Sequence, residues 1–295
     1  MKKMMVIINP AAGRGGYSLQ FGEAMKILGE AGYATTLYYT SARGDATEFA
    51  RRYAREYDII SCVGGDGTLS ETLAGLMDVE NPPMVGYFPL GTTNDVATTL
   101  GLPKNDMEAA ARKIVKGDPH PFDVGRFGKD EYFAYIAAFG AFTNVSYATT
   151  QEQKKTWGHL AYVLQGMAEI PNIETYRARV EYDTGFAEGT FIYGSMSNST
   201  SVAGLVRLPG EMVCLGDGLS ELVLVKKPES VEAFGEIMAS VIGGTFDSSN
   251  LIIVHTTQAK FTFDKPVAWT RDGEDGGRHE EIVLKNCKSP IELLF

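Results

Sequence analysis

The sequence predicts two domains: an α/β first domain with a parallel sheet, and a second, antiparallel domain resembling a β-sandwich. A chain of 295 residues exceeds the usual size of one hydrophobic core, so roughly two domains are expected. Up to about residue 125, short apolar runs alternate with amphipathic stretches, which is typical of strand–helix repeats around a parallel sheet. Beyond Pro121 the segments become β-rich. We therefore expect domains at residues 1–125 and 126–282, with residues 283–295 returning to the first.

The first domain is expected to contain four strands and four helices. The apolar runs predict strands at Met5–Ile8, Ala34–Tyr39, Asp58–Val63 and Met84–Phe88. Helical spacing of apolar residues predicts helices at Ser18–Ala31, Asp45–Tyr57, Leu69–Met77 and Met107–Lys116. Asp45 directly precedes one such pattern and is a suitable N-cap.

The second domain is expected to consist mainly of strands. The predicted strands are Tyr132–Phe139, Thr175–Tyr182, Thr190–Met196, Leu219–Val225, Leu251–His255 and Lys260–Asp264. Asp183-Thr184-Gly185 has the composition of a hairpin turn. Helical patterns interrupt this half at Trp157–Ile170 and Val231–Ile242, and Ile282–Phe295 is a candidate for the returning strand.

Composition and charge exclude several classes of protein. The net charge of −10 argues against an extended nucleic-acid surface, which requires many basic residues. The apolar run Met4–Ile8 is far too short to span a membrane or to form the core of a signal peptide, so we expect a cytoplasmic protein. Three widely spaced cysteines predict neither a disulfide framework nor a zinc site.

The most informative motif is Val63-Gly64-Gly65-Asp66-Gly67-Thr68, which follows an apolar strand and precedes a helix. Glycines allow the backbone to approach an anion closely, and the first N–H groups of the helix then face that anion. Asp66 is placed to meet Mg²⁺ or to bond a sugar or a water beside the phosphates. A simple glycine turn is the alternative, but Gly-Gly-Asp-Gly is a more specific pattern than a single Gly-x-Gly.

Two further loops follow strands of the same predicted sheet. One is the run from Asn9 to Gly16, and the other runs from Phe88 to Asp95. Ligands of open parallel sheets bind outside the carboxyl ends of the strands, so three such loops predict a phosphate or nucleotide site. The sequence contains no Walker motif, no protein-kinase signature and no G-x-G-x-x-G, which argues against those classes.

The motifs together resemble the bacterial diacylglycerol kinase and lipid kinase family, whose relatives phosphorylate diacylglycerol, sphingosine and ceramide. In chain order they are Asn9–Gly13, Gly44-Asp45-Ala46, Gly64–Thr68 with Glu71, Gly91–Asp95, and Asp272-Gly273-Glu274. The resemblance covers nearly the whole chain. It implies a Rossmann-like first domain of the NAD kinase and diacylglycerol kinase type and a β-rich lipid-binding second domain.

The resemblance also implies site residues. ATP would be held by Asn9, Pro10, Ala11, Ala12, Gly13, Thr40, Gly65, Asp66, Gly67, Thr68, Leu69, Ser70, Glu71 and Thr92. Asp66, Asp95 and Asp123 would form an acidic network around the phosphates and Mg²⁺. Asp272 and Glu274 would close on the nucleotide, and one of them would be the general base. Such a carboxylate takes the proton of a lipid hydroxyl as it attacks the γ-phosphate.

A second, structural Mg²⁺ is implied at Leu215–Leu219, with the Asp217 carboxylate and the Cys214 and Leu219 carbonyls as ligands. The sequence around this turn departs from the family pattern at Glu211, Val213 and Gly216, and a type I′ hairpin at Asp217-Gly218 is the alternative.

The preferred interpretation is an ATP- and Mg²⁺-dependent kinase that acts on a diacylglycerol-like lipid while transiently associated with a membrane. Phosphatidylglycerol, ceramide, monoacylglycerol and sphingoid bases stay open as acceptors. The alternatives are an NAD kinase-like enzyme, or a lipid-binding or regulatory protein that keeps the fold. No nucleic-acid partner and no transmembrane segment are expected. A homodimer is one possible oligomeric state.

Overall fold

The first domain is built on a parallel sheet, as predicted. The computed structural model describes residues 1–12, 18–92, 94–141, 173–202, 206–207, 213–288 and 291–295. Strands β1 (Lys2–Ile8), β2 (Tyr33–Tyr39), β3 (Ile59–Gly64) and β4 (Met84–Pro89) lie in the order β2-β1-β3-β4, and every neighbouring pair is parallel.

Helices cover both faces of this sheet. They are α1 (Ser18–Glu30), α2 (Asp45–Tyr53), α3 (Asp66–Leu76), the short α4 (Asp95–Thr99) and α5 (Met107–Lys116). Successive side chains of a strand point to opposite faces. Met5 and Ile7 of β1 accordingly join the core beneath α2 and α3, whereas Met4 and Val6 join the core beneath α1 and α5. The two cores hold the strand ends, and the loops that follow them, in fixed positions.

Three differences from the predicted helices exceed one residue. The α-helical part of the second helix ends at Tyr53 and continues as a 3₁₀ turn over Ala54–Glu56. The third helix begins at Asp66 rather than Leu69, because the glycine motif itself provides the N-cap, Gly65. The helix Asp95–Thr99 was not predicted, since its five residues are too few to show a periodic pattern.

Helices α2 and α3 approach closely at a glycine. A side chain at Gly75 would place its first carbon 2.3 Å from the carbonyl oxygen of Thr47 and 2.8 Å from Cβ of Ala50. Only a residue without a side chain fits this crossing, because neither a backbone oxygen nor a packed methyl group can move away easily. The crossing positions α3, whose N-terminus carries the glycine motif.

The second domain is antiparallel and confirms the predicted class. Its strands are β6 (Val124–Phe127), β7 (Glu131–Phe133), β8 (Ile136–Gly140), β9 (Tyr176–Tyr182), β10 (Gly185–Ser197), β13 (Ser220–Lys226), β14 (Leu251–Thr256), β15 (Gln258–Arg271) and β16 (Glu274–Cys287). Two short strands, β11 (Ser201–Val202) and β12 (Val206–Arg207), form a separate ribbon. The helix predicted at Trp157–Ile170 lies outside the described residues.

Two shorter strands, β8 and β9, each pair with both of the long strands β10 and β15. Strand β9 pairs with the first part of each, whereas β8 pairs with the last part of each. The aromatic side chains of Phe139, Phe261, Phe263 and Trp269 fill the interior, with ring centroids 5.0 to 6.3 Å apart. The predicted turn at Asp183-Thr184 joins Tyr182 to Gly185, which are register partners.

The chain returns to the first sheet near its end. Strand β17 (Glu292–Leu294) runs parallel to β4 and antiparallel to β5 (Pro119–Pro121). The return begins later than the expected residue 283, because β16 continues to Cys287 in the second sheet. Helix α6 (Val231–Gly243) confirms the predicted helix, with the Ser230 hydroxyl accepting a hydrogen bond from the Ala233 N–H.

Candidate functional site

The three predicted loops meet at the carboxyl edge of the parallel sheet. The side-chain amide of Asn9, after β1, donates to Oγ1 of Thr68 at the start of α3, at 3.2 Å. Oδ1 of Asn9 accepts from the N–H of Ala11 at 3.0 Å. The N–H of Leu90, after β4, donates to the Gly64 carbonyl at 2.7 Å. The sequence prediction that these loops form one rim is consistent with this geometry.

The loops after β3 and β4 touch through two glycines. A side chain at Gly91 would place its first carbon 2.5 Å from Cα of Gly65 and 2.6 Å from Oδ1 of Asn94. Asn94 has a left-handed backbone, with φ at 51°, and its side chain bonds both the N–H and the carbonyl of Gly91. Gly65 and Gly67 are partly exposed at the rim, where a glycine backbone suits a bound phosphate.

Asp66 lies between this rim and α4. Its carboxylate accepts from the N–H of Asp95 at 2.9 Å and from the N–H of Val96 at 3.2 Å. The pKa of Asp66 is raised to about 6, mainly by burial and also by the charges of Asp95 and Asp272, while the two N–H bonds oppose the shift. Asp66, Asp95 and Asp272 are therefore close enough to act on one another electrostatically. Carboxylate oxygens are ligands that Mg²⁺ prefers.

Asp272 begins the hairpin turn between β15 and β16. Asp272 and Gly273 have φ angles of 48° and 80°, and the flanking Arg271 and Glu274 are register partners. Positive φ at both central residues defines a type I′ turn. The Asp272 side chain is buried beneath this turn.

The Asp272 carboxylate is saturated with hydrogen bonds. It accepts from the N–H groups of Ala134 at 2.6 Å, Tyr135 at 3.0 Å and Ile136 at 3.1 Å. Burial raises its pKa, and bonds from Ser70 of α3 and from these N–H groups lower it. Because its oxygens are engaged by the protein, Asp272 is better placed to fix the turn and join it to α3 than to accept a substrate proton.

Glu274, the other member of the pair, points to the first turn of α3. A side chain at Gly67 would place its first carbon 3.3 Å from Oε1 of Glu274. Oε2 of Glu274 lies 2.6 Å from Nη2 of Arg43, and both side chains are partly exposed. The ion pair connects the first domain to the second directly over the glycine motif. Arg43 was not predicted, although it precedes the Gly44-Asp45 motif.

A cavity of about 440 Å³ opens beside this ion pair. It lies between α2 and α3 on one side and the β6–β7 hairpin and the end of β15 on the other, and Gly67, Ser70 and Glu71 line it. Oε1 of Glu71 accepts from the N–H of Gly44 at 2.9 Å. A volume of this size accommodates a small-molecule ligand.

The remaining predicted nucleotide residues are arranged less uniformly. The Thr40 N–H donates to the Ile8 carbonyl at 2.9 Å, so Thr40 lies beside the end of β1. Pro10, Ala11 and Thr92 are exposed at the rim, and Ala12 is half-buried. Leu69 is fully buried in the core, and its N–H donates to the Gly65 carbonyl at 3.2 Å. Gly13 lies outside the described residues.

Asp123 is placed with the turn of the second predicted Mg²⁺ site. Its buried carboxylate accepts from the N–H of Gly218 at 2.6 Å, and its own N–H donates to the Leu215 carbonyl at 2.7 Å. The predicted alternative of a type I′ hairpin at Asp217-Gly218 is wrong, because Gly218 has φ at 88° whereas Asp217 is not among the residues with positive φ.

The turn offers oxygen ligands that suit a cation. Oδ1 of Asp217 accepts from the Leu219 N–H at 2.9 Å. The side-chain amide of Asn286 holds the Leu219 carbonyl at 2.8 Å, and that of Asn198 holds the Leu215 carbonyl at 3.3 Å. The side-chain oxygens of both asparagines are buried without a hydrogen-bond partner in the described structure. These orphaned acceptors fit a bound cation, with Asp217 and the Cys214 and Leu219 carbonyls as the predicted ligands.

Sequence reasoning missed both asparagines, since single asparagines far apart in the chain give no signal. Within the described ranges, no three His, Cys, Asp or Glu side chains converge as a metal site. No helix in the described part of the chain is long and apolar enough to cross a membrane.

Comparison with known proteins gives a consistent result. Residues 3–127 match the diacylglycerol kinase catalytic domain family. The chain is 32% identical to a diacylglycerol kinase of Bacillus subtilis, over 98% of each chain. It is also 32% identical to a diacylglycerol kinase of Staphylococcus aureus, over 94% of this chain and 87% of that protein. The crystal structure of a diacylglycerol kinase from Bacillus anthracis superposes with a TM-score of 0.79 at 24% identity, covering 100% of this chain and 97% of that chain, which supports the fold.

Proposed function

Because the chain belongs to the diacylglycerol kinase family and is a lipid kinase, we propose that it transfers the γ-phosphoryl group of ATP to the hydroxyl of a diacylglycerol, giving phosphatidic acid. One observation carries this proposal. Glu274 of the second domain lies against Gly67, in the glycine motif whose backbone would cradle the phosphates. Phosphoryl transfer depends mainly on positioning and charge neutralisation, and this juxtaposition would position a proton acceptor beside the phosphates.

Each element has a role in this proposal. The backbone of Gly65–Thr68 and the amide of Asn9 hold the phosphates, while Glu71 and the adjoining cavity accept the rest of the nucleotide. Glu274 is partly exposed and accepts the proton of the attacking hydroxyl. Asp272 fixes the turn that carries Glu274. Mg²⁺, held by Asp66 and Asp95, would neutralise charge on the phosphates.

The acceptor is a membrane lipid, so the enzyme is expected to work from the cytoplasm at a membrane surface. The hydroxyls of phosphatidylglycerol, ceramide, monoacylglycerol and sphingosine present similar nucleophiles, and pocket shape decides among them. Diacylglycerol is proposed because it is the substrate in the names of the relatives with 32% identity.

The test is transfer of labelled phosphate from ATP to dioleoylglycerol in mixed micelles with Mg²⁺. Glu274→Gln is expected to reduce kcat by a factor of about 10² to 10⁴, the usual contribution of a general base. Glu280→Gln, an exposed glutamate on the same strand, is the matched control and should keep full activity. Transfer to NAD⁺ instead, or lipid binding without turnover by the unmodified protein, would contradict the proposal.

A further inference from the structure

Arg43 lies in a loop whose backbone is held on both sides. The Asp45 carboxylate accepts hydrogen bonds from the N–H groups of the two residues before Arg43, at 2.7 and 2.8 Å. On the other side, the Gly44 N–H donates to Oε1 of Glu71 in α3 at 2.9 Å. Hydrogen bonds from backbone N–H groups to carboxylates are among the stronger ones in proteins, so these bonds fix the point from which the Arg43 side chain extends.

Glu274 is held in a similar way on the second domain. It directly follows the turn formed by Asp272 and Gly273, and the Asp272 carboxylate fixes that turn through three backbone N–H groups. Arg43 and Glu274 both line the cavity of about 440 Å³. Two fixed loops from different domains are therefore joined across this cavity by one contact, 2.6 Å between Nη2 of Arg43 and Oε2 of Glu274.

The two carboxylate oxygens of Glu274 have different surroundings. Oε2 accepts from the Arg43 guanidinium, whereas Oε1 is the atom that a side chain at Gly67 would approach to 3.3 Å. The Glu274 side chain is 44% exposed, and a glutamate without a partner would move among several rotamers. The guanidinium opposes that motion and keeps Oε1 directed at the glycine motif.

We propose that Arg43 is a positioning residue for proton transfer: by holding Oε2 of Glu274, it presents Oε1 as the atom that takes the proton. This inference rests on the proposed function. In that reaction the O–H bond of the acceptor breaks, the proton goes to Oε1, and the electron pair forms the new bond to the γ-phosphorus. The bond from that phosphorus to the bridging oxygen breaks, and its electron pair leaves with ADP. Arg43 keeps its own protons throughout, because a guanidinium is not deprotonated in proteins.

The test is a double-mutant cycle on transfer of labelled phosphate from ATP to dioleoylglycerol. Arg43→Gln is expected to lower kcat about fivefold, the most that an exposed ion pair usually contributes, and to change KM for ATP by less than about twofold. Arg43→Lys keeps the charge and should recover about half of the lost kcat. In a Glu274→Gln background, Arg43→Gln should have no further effect, because no base is left to position. Arg55→Gln, at an exposed arginine, is the matched control and should keep full activity.

Hydrogen–deuterium exchange of the nucleotide-free protein gives a readout that does not depend on turnover. The N–H groups of Gly273 and Glu274 should exchange about twofold to fivefold faster in Arg43→Gln than in the unmodified protein, and at the unmodified rate in Arg55→Gln.

Several outcomes would overturn the inference and leave the proposed function intact. They are an unchanged kcat in Arg43→Gln, a raised KM for ATP as the main effect, the same loss in the Glu274→Gln background, or unchanged exchange at the turn. Full activity of Glu274→Gln would reject both the proposed base and the role of Arg43. Absence of lipid phosphorylation by the unmodified protein would reject the proposed function, and this inference with it.

Discussion

Replacing Asp272 with asparagine is expected to destabilise the protein, in addition to any loss of activity. The Asp272 carboxylate accepts three backbone N–H groups, two on Oδ1 and one on Oδ2. An asparagine that keeps its oxygen at the Oδ1 position retains the bonds from Tyr135 and Ile136. Its NH₂ group then faces the N–H of Ala134, so two donors meet where a bond of 2.6 Å existed. The opposite amide orientation would lose two bonds instead of one.

The size of the effect follows from these bonds. A hydrogen bond to a charged group contributes about 1.5 to 3 kcal/mol, and an unsatisfied buried N–H costs about 1 to 3 kcal/mol. The neutral amide is easier to bury than the carboxylate, which offsets part of the loss. We therefore expect the free energy of unfolding to fall by about 2 kcal/mol, a factor of about 30 in the folding equilibrium.

The assay is equilibrium unfolding in urea without nucleotide, with Glu274→Gln as the comparison. Glu274 is partly exposed, and its ion pair with Arg43 lies in solvent, so Glu274→Gln should change stability by less than about 1 kcal/mol. Both variants should lose phosphoryl transfer. Equal stability of the two variants would contradict the assignment of Asp272 as the residue that fixes the turn and of Glu274 as the proton acceptor.

Three further results are expected. Gly91→Ala should lower the affinity for ATP, measured by titration, or unfold the rim, because the new carbon would lie 2.5 Å from a backbone Cα. Gly22→Ala is the control: its new carbon has no atom within 4 Å, so this variant should fold and bind ATP normally. The pKa of Asp66 is raised to about 6, so kcat/KM should fall below pH 6. The folded state also holds that proton more tightly than the unfolded chain does. The Asp66 contribution to stability should therefore fall by up to about 3 kcal/mol as the pH rises from 4 to 6, and Asp66→Asn should lack this slope. The pKa of Asp183 is lowered by hydrogen bonds from Thr257. Asp183→Ala should therefore lower the free energy of unfolding in urea by about 1 kcal/mol at pH 7, and by progressively less as the pH falls below 4. An equal loss at pH 3 would contradict that assignment.

The sequence predicted those parts of the fold whose signals are local. Helix α5 has the predicted limits, Met107–Lys116, because Asp106 caps it and an apolar stripe continues through it. The glycine motif was predicted to lie between a strand and a helix, which is confirmed. These features depend on neighbouring residues, so one stretch of sequence contains all the information required.

The parts that were missed depend on distant residues or irregular strands. Strand β15 was predicted only at Lys260–Asp264, because Lys265-Pro266 resembles a break; the structure instead absorbs the proline where the register shifts between Thr262 and Val267. The contact of Arg43 with Glu274 joins opposite ends of the chain. No local pattern specifies such a pair, and the same is true of Asn198 and Asn286 around the Asp217 turn.

The position of β17 has a consequence for how the protein is made. Ile291 and Leu293 are buried in the first domain, yet they are synthesised after the whole second domain. Strands β4 and β5 therefore stay separated while the second domain is synthesised, and the gap closes only after Glu292–Leu294 have left the ribosome. During translation the nascent first domain is expected to stay protease-sensitive along this edge, so the order of synthesis and the order of folding differ.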